Sequence, residues 1–237
     1  MNVLYCDDQV LVVSKASGEL AQPNGTGDVD VLSLGKSHLE RAGSDDPFLG
    51  LVHRLDRPTS GIMVMARTSA VARHLSAQFR EHTVEKTYVA LVEGQLRGIG
   101  TWEDYVAKPG RQPKIVSPDH PEGKYAELTW QVLRQEGECT LLQVRLRTGR
   151  PHQIRLQASE RGVPIVGDRR YGASVPFSED AIALHHAVLR FDLPDRERRL
   201  TFVAPVPSTW TSVLSRAAGE AVEALLDRTT PGRPGPE

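Results

Sequence analysis

The chain has 237 residues, 39% hydrophobic and 25% charged, and 29 Lys+Arg against 30 Asp+Glu leave a formal net charge of -1. That length can bury a core as one large domain or two small ones. Near-neutrality argues against a protein that holds nucleic acid by bulk charge, while leaving room for a local basic patch. No apolar run approaches the ~20 residues of a membrane helix, so no membrane partner is expected. The opening MNVLYCDDQVLVVSK lacks the basic start and small-residue cleavage site of a signal peptide. Cys6 and Cys139 lie far apart and read as inert core thiols of a reduced, cytoplasmic protein.

Taken in order, Val3–Cys6 and Val10–Lys15 predict a hairpin turning at Asp7-Asp8. Asp30 caps a helix through Val31, Leu32, Leu34 and Leu39, with Gly35 weakening it. Phe48–Val52 and Ile62–Ala66 read as buried strands around the polar segment HRLDRPTSG (53–61). Ser69 starts a helix, since Val71, Leu75 and Phe79 recur at i, i+4 and i+8. Val84–Val92 is a strand. Residues 97–123, rich in Gly and Pro, read as an insertion or mobile loop with isolated strands. Tyr125–Leu133 and Cys139–Leu146 form a hairpin around Gly137. Pro151 opens a helix that runs to about Arg161 and stops at Gly162. Ile182–Phe191 and Leu200–Val203 are strands, and Ser208 caps a last helix to about Leu226. The Pro-rich tail, 228–237, is expected to be disordered. Many short strands with three or four helices give an α+β fold class, a mostly antiparallel mixed sheet flanked by helices and loops.

The charge is unevenly spread. Residues 19–49 carry six acids against two bases. Residues 53–80 carry five arginines against Asp56 alone, and residues 145–170 carry seven arginines against Glu160 and Asp168. The arginine fork suits phosphate and carboxylate, although arginine-rich composition and solvated faces explain such runs equally well.

Within the first basic stretch, flanking guanidinium charge favours the ionised form of a carboxylate. That suits Asp56 as a nucleophile or base. The bland alternative is a turn whose Asp ties down local arginines. The second segment, RTGRPHQIR (147–155), is either an anion-binding helix start or a capped amphipathic helix with solvated arginines. In the third, EKTYVALVEG (85–94), Tyr88 is by default an ordinary strand aromatic. No GxGxxG, P-loop, HExxH or Cys cluster occurs, so no nucleotide cofactor or metal is expected. His185 and His186, adjacent on a strand, point to opposite faces and make poor joint ligands. Trp102, Trp130 and Trp210 read as packing residues.

Together and in this order, HRLDxxTSG, K-x-Y on a strand and TGRxHQIR resemble the RluA family of RNA pseudouridine synthases. LYCDDQVLVVSKASG, GKYAELTWQVL, GVPIVGDRRYG, LHHAVLRF and FVAPVPSTW extend the resemblance to residues 2–215. It implies the pseudouridine synthase-like fold with a central active-site cleft, one catalytic domain over 1–227, and no small N-terminal RNA-binding domain. It implies that Asp56 is the catalytic aspartate, that Tyr88 packs on the target uracil, and that Arg155 pairs with the aspartate. Arg54 matches an arginine that displaces the target base, and Ile154 a wall of the base pocket. His53, Thr59, Ser60 and Gly61 shape the loop. Arg57, Arg80, Arg147, Arg150 and Arg169, with Lys108, Arg111 and Lys114, are expected near phosphates.

The implied partner is RNA, ribosomal or transfer. The reaction needs no cofactor, and a monomer is the default. The chain departs from the pattern at Ala16, where KASG replaces KPxG, and at Gln157 and His185. The alternatives are a non-catalytic RNA-binding or RNA-folding protein on the same scaffold, and a hydrolase using Asp56 with a second acid.

Overall fold

Two long apolar runs, VLVVSK and SGIMVMA, are buried on both faces, as strands at the middle of a covered sheet must be. The computed structural model describes residues 1–25, 27–108, 110, 112–194 and 199–229. The strands are β1 (Asn2–Cys6), β2 (Val10–Lys15), β3 (Gly50–Leu51), β4 (Ser60–Ala66), β5 (Glu85–Glu93), β6 (Ile99–Ala107), β7 (Lys114–Val116), β8 (Lys124–Glu136), β9 (Cys139–Leu146), β10 (Leu184–Phe191) and β11 (Leu200–Val203). The helices are α1 (Val31–Arg41), α2 (Ser69–Glu81), α3 (Gln153–Glu160) and α4 (Arg216–Thr229). The chain divides into unit 1, residues 1–85, 186–207 and 225–237, and unit 2, residues 86–185 and 208–224.

In unit 1 the β1–β2 hairpin turns where Asp7 Oδ1 accepts from the N–H groups of Gln9 and Val10 at 2.9 and 2.8 Å. β2 pairs antiparallel with β4 from Val10↔Ala66 to Lys15↔Gly61. β10 neighbours β4, and β11 pairs with β10. Side chains alternate across the strands. Val10, Val12, Ile62 and Val64 pack with Val71 and Leu75 of α2 and with Leu189 and Phe191. Leu11 and Met65 meet α1 at Gly35, where an added Cβ would lie 3.1 and 3.3 Å from their side chains and 2.7 Å from Leu49. Gly35 therefore allows a close helix–strand approach rather than merely weakening the helix. Asp30 caps α1 as expected, accepting from Ser33 N–H at 2.9 Å. Thr68 caps α2 through Val71 N–H.

In unit 2 the strand order is β5-β9-β8-β6-β7. All four pairings are antiparallel. Trp102 and Trp130 are buried there, as is Trp210. The strands of segment 97–123 are not isolated but part of the sheet. Ile99–Ala107 pairs with β8 over eight positions and Lys114–Val116 adds the next strand. Gly100 and the alternating polar residues Thr101, Glu103 and Asp104 belong to a half-exposed strand.

Other boundaries also move. The Phe48–Val52 strand shrinks to Gly50–Leu51, with Phe48 exposed. β10 begins two residues later than expected. Pro151 does not open α3, because His152 adopts a left-handed conformation (φ 54°) and the helix starts at Gln153. Ser208 begins a short 3-10 turn, and Ser215 precedes α4, which runs to Thr229 and so into the expected tail. Residues 230–237 of that tail lie outside the described residues. Neither cysteine is a core thiol, since Cys6 is exposed and Cys139 half-buried. Burial nonetheless pushes the Cys139 thiol pKa up.

Gly61 at the head of β4 has φ 119°, and a Cβ there would meet the backbone of His186 at 2.3 Å from O and 2.5 Å from N. Backbone cannot yield as a side-chain tip can. Gly61→Ala is predicted to cost about 3 kcal/mol or more of stability, combining strain and overpacking. Chemical denaturation checks it, and a wild-type midpoint would contradict the close approach.

Candidate active site

The loop between β3 and β4 is held mostly through its backbone. β3 ends at Leu51, opposite Met65. One residue further along β4, Val64 N–H donates to His53 Nε2 at 3.0 Å, so the imidazole takes over where strand pairing stops. Accepting at Nε2 places a neutral ring's proton on Nδ1. The ring stacks on Phe79 with centroids 4.6 Å apart and meets His186 edge-on. His186 is fully buried, with its Nδ1 2.7 Å from Ile62 O; a carbonyl only accepts, so Nδ1 carries the proton.

Past His53 the chain exposes Arg54, buries Leu55 and half-buries Asp56. Thr59 N–H donates to Asp56 O at 3.0 Å, closing a turn across Arg57-Pro58. Thr59 and Ser60 are buried, and Ser60 and Gly61 already belong to β4.

The far side of this turn is anchored by Lys15 at the end of β2. Lys15 is 1% exposed, and its Nζ donates to the carbonyls of Ala16, Glu19 and Arg57 at 2.8, 2.9 and 3.0 Å. The Arg57 carbonyl, one residue beyond Asp56, also accepts from Gly18 N–H at 2.9 Å. Burial lowers the Lys15 pKa from its ordinary value to about 8, against the opposing influence of Glu19 and Asp56. Arg57 closes the same junction with Nε donating to Gly18 O at 3.0 Å and an exposed ion pair to Asp28 at 3.3 Å. Lys15 was absent from the sequence-derived site. It sits in KASG, which was read as the end of a strand and for its Ala16 departure, with no role given to the lysine.

In unit 2, Tyr88 lies on β5 and is buried. Arg155 and Ile154 lie in the first turn of α3, 4% exposed each. The bland reading of Arg155 as a solvated helix arginine is thus excluded. Its guanidinium binds Asp168 with two bonds, Nε to Oδ2 at 2.6 Å and Nη2 to Oδ1 at 2.9 Å, and lies over the Tyr171 ring, 4.9 Å from the centroid. Tyr171 O in turn accepts from Ser159 Oγ, and its hydroxyl bonds His152 Nδ1 at 2.7 Å. Asp168 and Tyr171 are the orienting partners that sequence reasoning missed. GVPIVGDRRYG was read only as a closing segment, and Asp168 only as an acid opposing arginines.

The loop before α3 is knit by Gln153. Its Oε1 accepts from Thr148 Oγ1 at 2.8 Å and Arg150 N–H at 3.0 Å, and its Nε2 donates to Glu127 O at 3.0 Å. Arg147 pairs with Glu127 at 3.2 Å but stays mostly exposed. Arg150, half-buried, donates from Nε to Tyr125 O at 2.7 Å, and burial lowers its pKa. Gln157, where a histidine is often found, is fully buried and donates to Trp102 O, Asp104 and Ala126 O.

Of the remaining expected phosphate ligands, Arg80, Arg169, Lys108 and Lys114 are exposed, and Arg111 lies outside the described residues. Among the described residues no cluster of three or more His, Cys, Asp or Glu is placed to hold a metal ion, and no helix is long and apolar enough to cross a membrane.

Comparison with known proteins adds an independent line. Residues 9–160 match the family model described as RNA pseudouridylate synthase. The chain is 36% identical over 227 residues to "Ribosomal large subunit pseudouridine synthase C" of Vibrio cholerae, covering 90% of this chain and 68% of that one. It is 32% identical over 221 residues to "Ribosomal large subunit pseudouridine synthase D" of the same organism, covering 87% and 68%. Two human structures share the fold. RNA pseudouridylate synthase domain containing 4 has a TM-score of 0.74 at 21% identity, covering 94% of this chain and 93% of that one. RNA pseudouridylate synthase domain containing 1 has a TM-score of 0.70 at 24% identity, covering 97% and 95%.

Removing the Lys15 ammonium strands three carbonyls at the turn. Lys15→Met is predicted to lower the unfolding free energy by about 1–3 kcal/mol and to speed amide exchange at Gly18. Denaturation and hydrogen-exchange measurements check both, and unchanged Gly18 protection would contradict the anchor.

Proposed function

The chain belongs to the RluA-like RNA pseudouridine synthases and is itself a pseudouridine synthase, and on that premise we propose that it isomerises discrete uridines of large-subunit ribosomal RNA with Asp56 as the catalytic carboxylate. The ribosomal target is supported by the names of the relatives, ribosomal large subunit pseudouridine synthases C and D. The role of Asp56 is supported by one observation above the rest. Its side chain is half-buried on a turn whose backbone is fastened on one side by His53 and on the other by Lys15. Such fixing is what a reacting carboxylate needs, because misplacement by about 1 Å can cost ~100-fold in rate. Residues 1–227 form the proposed catalytic domain.

The chemistry is an internal rearrangement. The N1–C1′ bond breaks, the uracil turns, C5 bonds to C1′, and the C5 proton leaves while N1 gains one. Nothing is oxidised and no group enters from outside. Asp56 serves this by attacking C1′, by attacking C6 of the base, or by removing the 2′ proton. Each route uses an ionised carboxylate beside the sugar.

The uridine must first leave its stack, at a cost of a few kcal/mol. Exposed Arg54 fills the vacancy. Tyr88 supplies a stacking face for the uracil, an interaction worth ~1–3 kcal/mol, and Ile154 the apolar wall beside it. By the family resemblance Arg155 is the arginine that partners the catalytic carboxylate, and its guanidinium is held by Asp168 and lies over Tyr171. Asp168 and Tyr171 set the direction of that fork, so they act as positioning residues. Arg57, Arg147 and Arg150 complete the RNA-binding set around the two motifs. Transfer RNA is the second substrate class to be tried.

Tritium release from RNA carrying 5-tritiated uridine tests the reading. Wild type is expected to release tritium and form pseudouridine. Asp56→Asn is expected to fold and bind RNA with turnover at least ~10³-fold lower, the scale on which loss of a reacting group is felt. Full turnover in Asp56→Asn would remove Asp56 from the chemistry, RNA binding without any tritium release by wild type would favour a non-catalytic binder, and free uracil as product would indicate hydrolysis.

A further inference from the structure

Three arginines of the 145–170 stretch each meet a carboxylate. Arg147 pairs with Glu127 at 3.2 Å, Arg155 with Asp168 at 2.6 Å and Arg161 with Asp104 at 2.9 Å. Lys86 breaks that pattern. It stands at the start of β5, 7% exposed. Among the described residues its Nζ makes no hydrogen bond and no ion pair. The charge beside it is another cation, Arg150, which also has no carboxylate partner among the described residues and spends its Nε on the Tyr125 carbonyl at 2.7 Å. A Cβ built on Gly149 would lie 3.8 Å from Lys86 Nζ, so the ammonium faces the 148–150 loop, where Gly149 leaves space in front of it.

Burying a cation without a counter-charge is costly, and placing a second cation next to it adds to the cost. Burial, and then Arg150, lower the Lys86 pKa to about 8, which leaves it charged at neutral pH. A hydrogen-bonded lysine such as Lys15 repays its burial inside the fold. Lys86 has no such return, and a local cost of this kind is characteristic of a binding position.

We propose that Lys86 and Arg150 form a binding site for one phosphodiester group of the substrate RNA, the anion supplying the counter-charge that the fold leaves out. This rests on the pseudouridine synthase reading above. Lys86 and Tyr88 lie two residues apart on β5 and so share a face, separated by roughly 6.6 Å along the strand. That is the scale of the reach from a base to the backbone of its own or the adjoining nucleotide. A phosphate at Lys86 would thus fix the strand that presents its uracil to Tyr88. Arg150 then contributes by charge and by its remaining N–H donors.

The test measures binding of a single-stranded oligouridylate as a function of salt, beside thermal melting, for wild type, Lys86→Gln, Lys86→Arg and Gly149→Asp. Lys86→Gln is expected to bind at least ~10-fold more weakly, to reduce the magnitude of the log–log salt slope by ~0.7, and to melt at or above the wild-type temperature. Lys86→Arg should retain the slope. Gly149→Asp, which sets a carboxylate before Nζ, should weaken binding as Lys86→Gln does. An oligouridylate with neutral methylphosphonate linkages should be bound equally by wild type and Lys86→Gln.

An unchanged slope in Lys86→Gln, or equal wild-type affinity for the two backbones, overturns the site. A lower melting temperature with intact binding marks Lys86 as structural and also overturns it. Tritium release by wild type is read in parallel. Its absence tells against the enzyme reading, whereas an active enzyme whose slope ignores Lys86 tells against this site alone.

Discussion

A single buried ammonium group fixes the segment on which the proposed chemistry depends. Lys15 closes the β2 strand, is 1% exposed, and spends its three N–H bonds on the carbonyls of Ala16, Glu19 and Arg57. Full satisfaction of donors is the condition under which a buried charge is tolerable. Because one of those carbonyls belongs to the residue after Asp56, the position of the carboxylate is tied to a central strand. His53 fastens the other side of the loop to β4, and the left-handed backbone at Gly61 lets β4 run against His186. The loop leaves Arg54 exposed, Asp56 half-buried and Arg57 exposed while donating to Gly18 O and pairing with Asp28. Function is carried by side chains while the fold holds the backbone.

Unit 2 uses the complementary solution. There the fastening is between side chains, with the Arg155 fork closed on Asp168 and seated over Tyr171, and Gln153 bridging the loop that leads into α3. Charge accounting changes accordingly. The arginine excess at 145–170 looks like an open basic face when counted along the chain, yet Arg147, Arg155 and Arg161 find acids at Glu127, Asp168 and Asp104. Among the described residues the Lys86–Arg150 pair is left without a carboxylate, which linear counting did not reveal because Lys86 lies among apolar strand residues.

Much of this fold was legible in the sequence because its signals are local. The β1–β2 hairpin follows from an Asp turn between apolar runs, α1 from the Asp30 cap and α2 from the Val71–Leu75–Phe79 repeat. The β8–β9 hairpin follows from Gly137. What was misread depended on distant partners. Ile99–Ala107 is a strand because β8 lies beside it, and its alternation of exposed Glu103 and buried Trp102 carries no apolar run to announce it. The start of α3 shifted because His152 takes a left-handed conformation that Pro151 does not reveal. The motif residues Asp56, Tyr88 and Arg155 were picked out by resemblance, but their supporting residues were not. Asp168 lies 13 residues from Arg155, and Lys15 lies 42 residues from Arg57, so neither pairing leaves a spacing to read.

The claim at the centre of this account is that the turn held by Lys15 and His53 presents a carboxylate that remakes uridines in ribosomal RNA. Mapping pseudouridine in ribosomal RNA from cells lacking this protein, complemented with wild type or with Asp56→Asn, tests that claim most directly. The account predicts that discrete large-subunit positions lose pseudouridine and that only wild type restores them. An unchanged map in the deletion strain, or full restoration by Asp56→Asn, would contradict it.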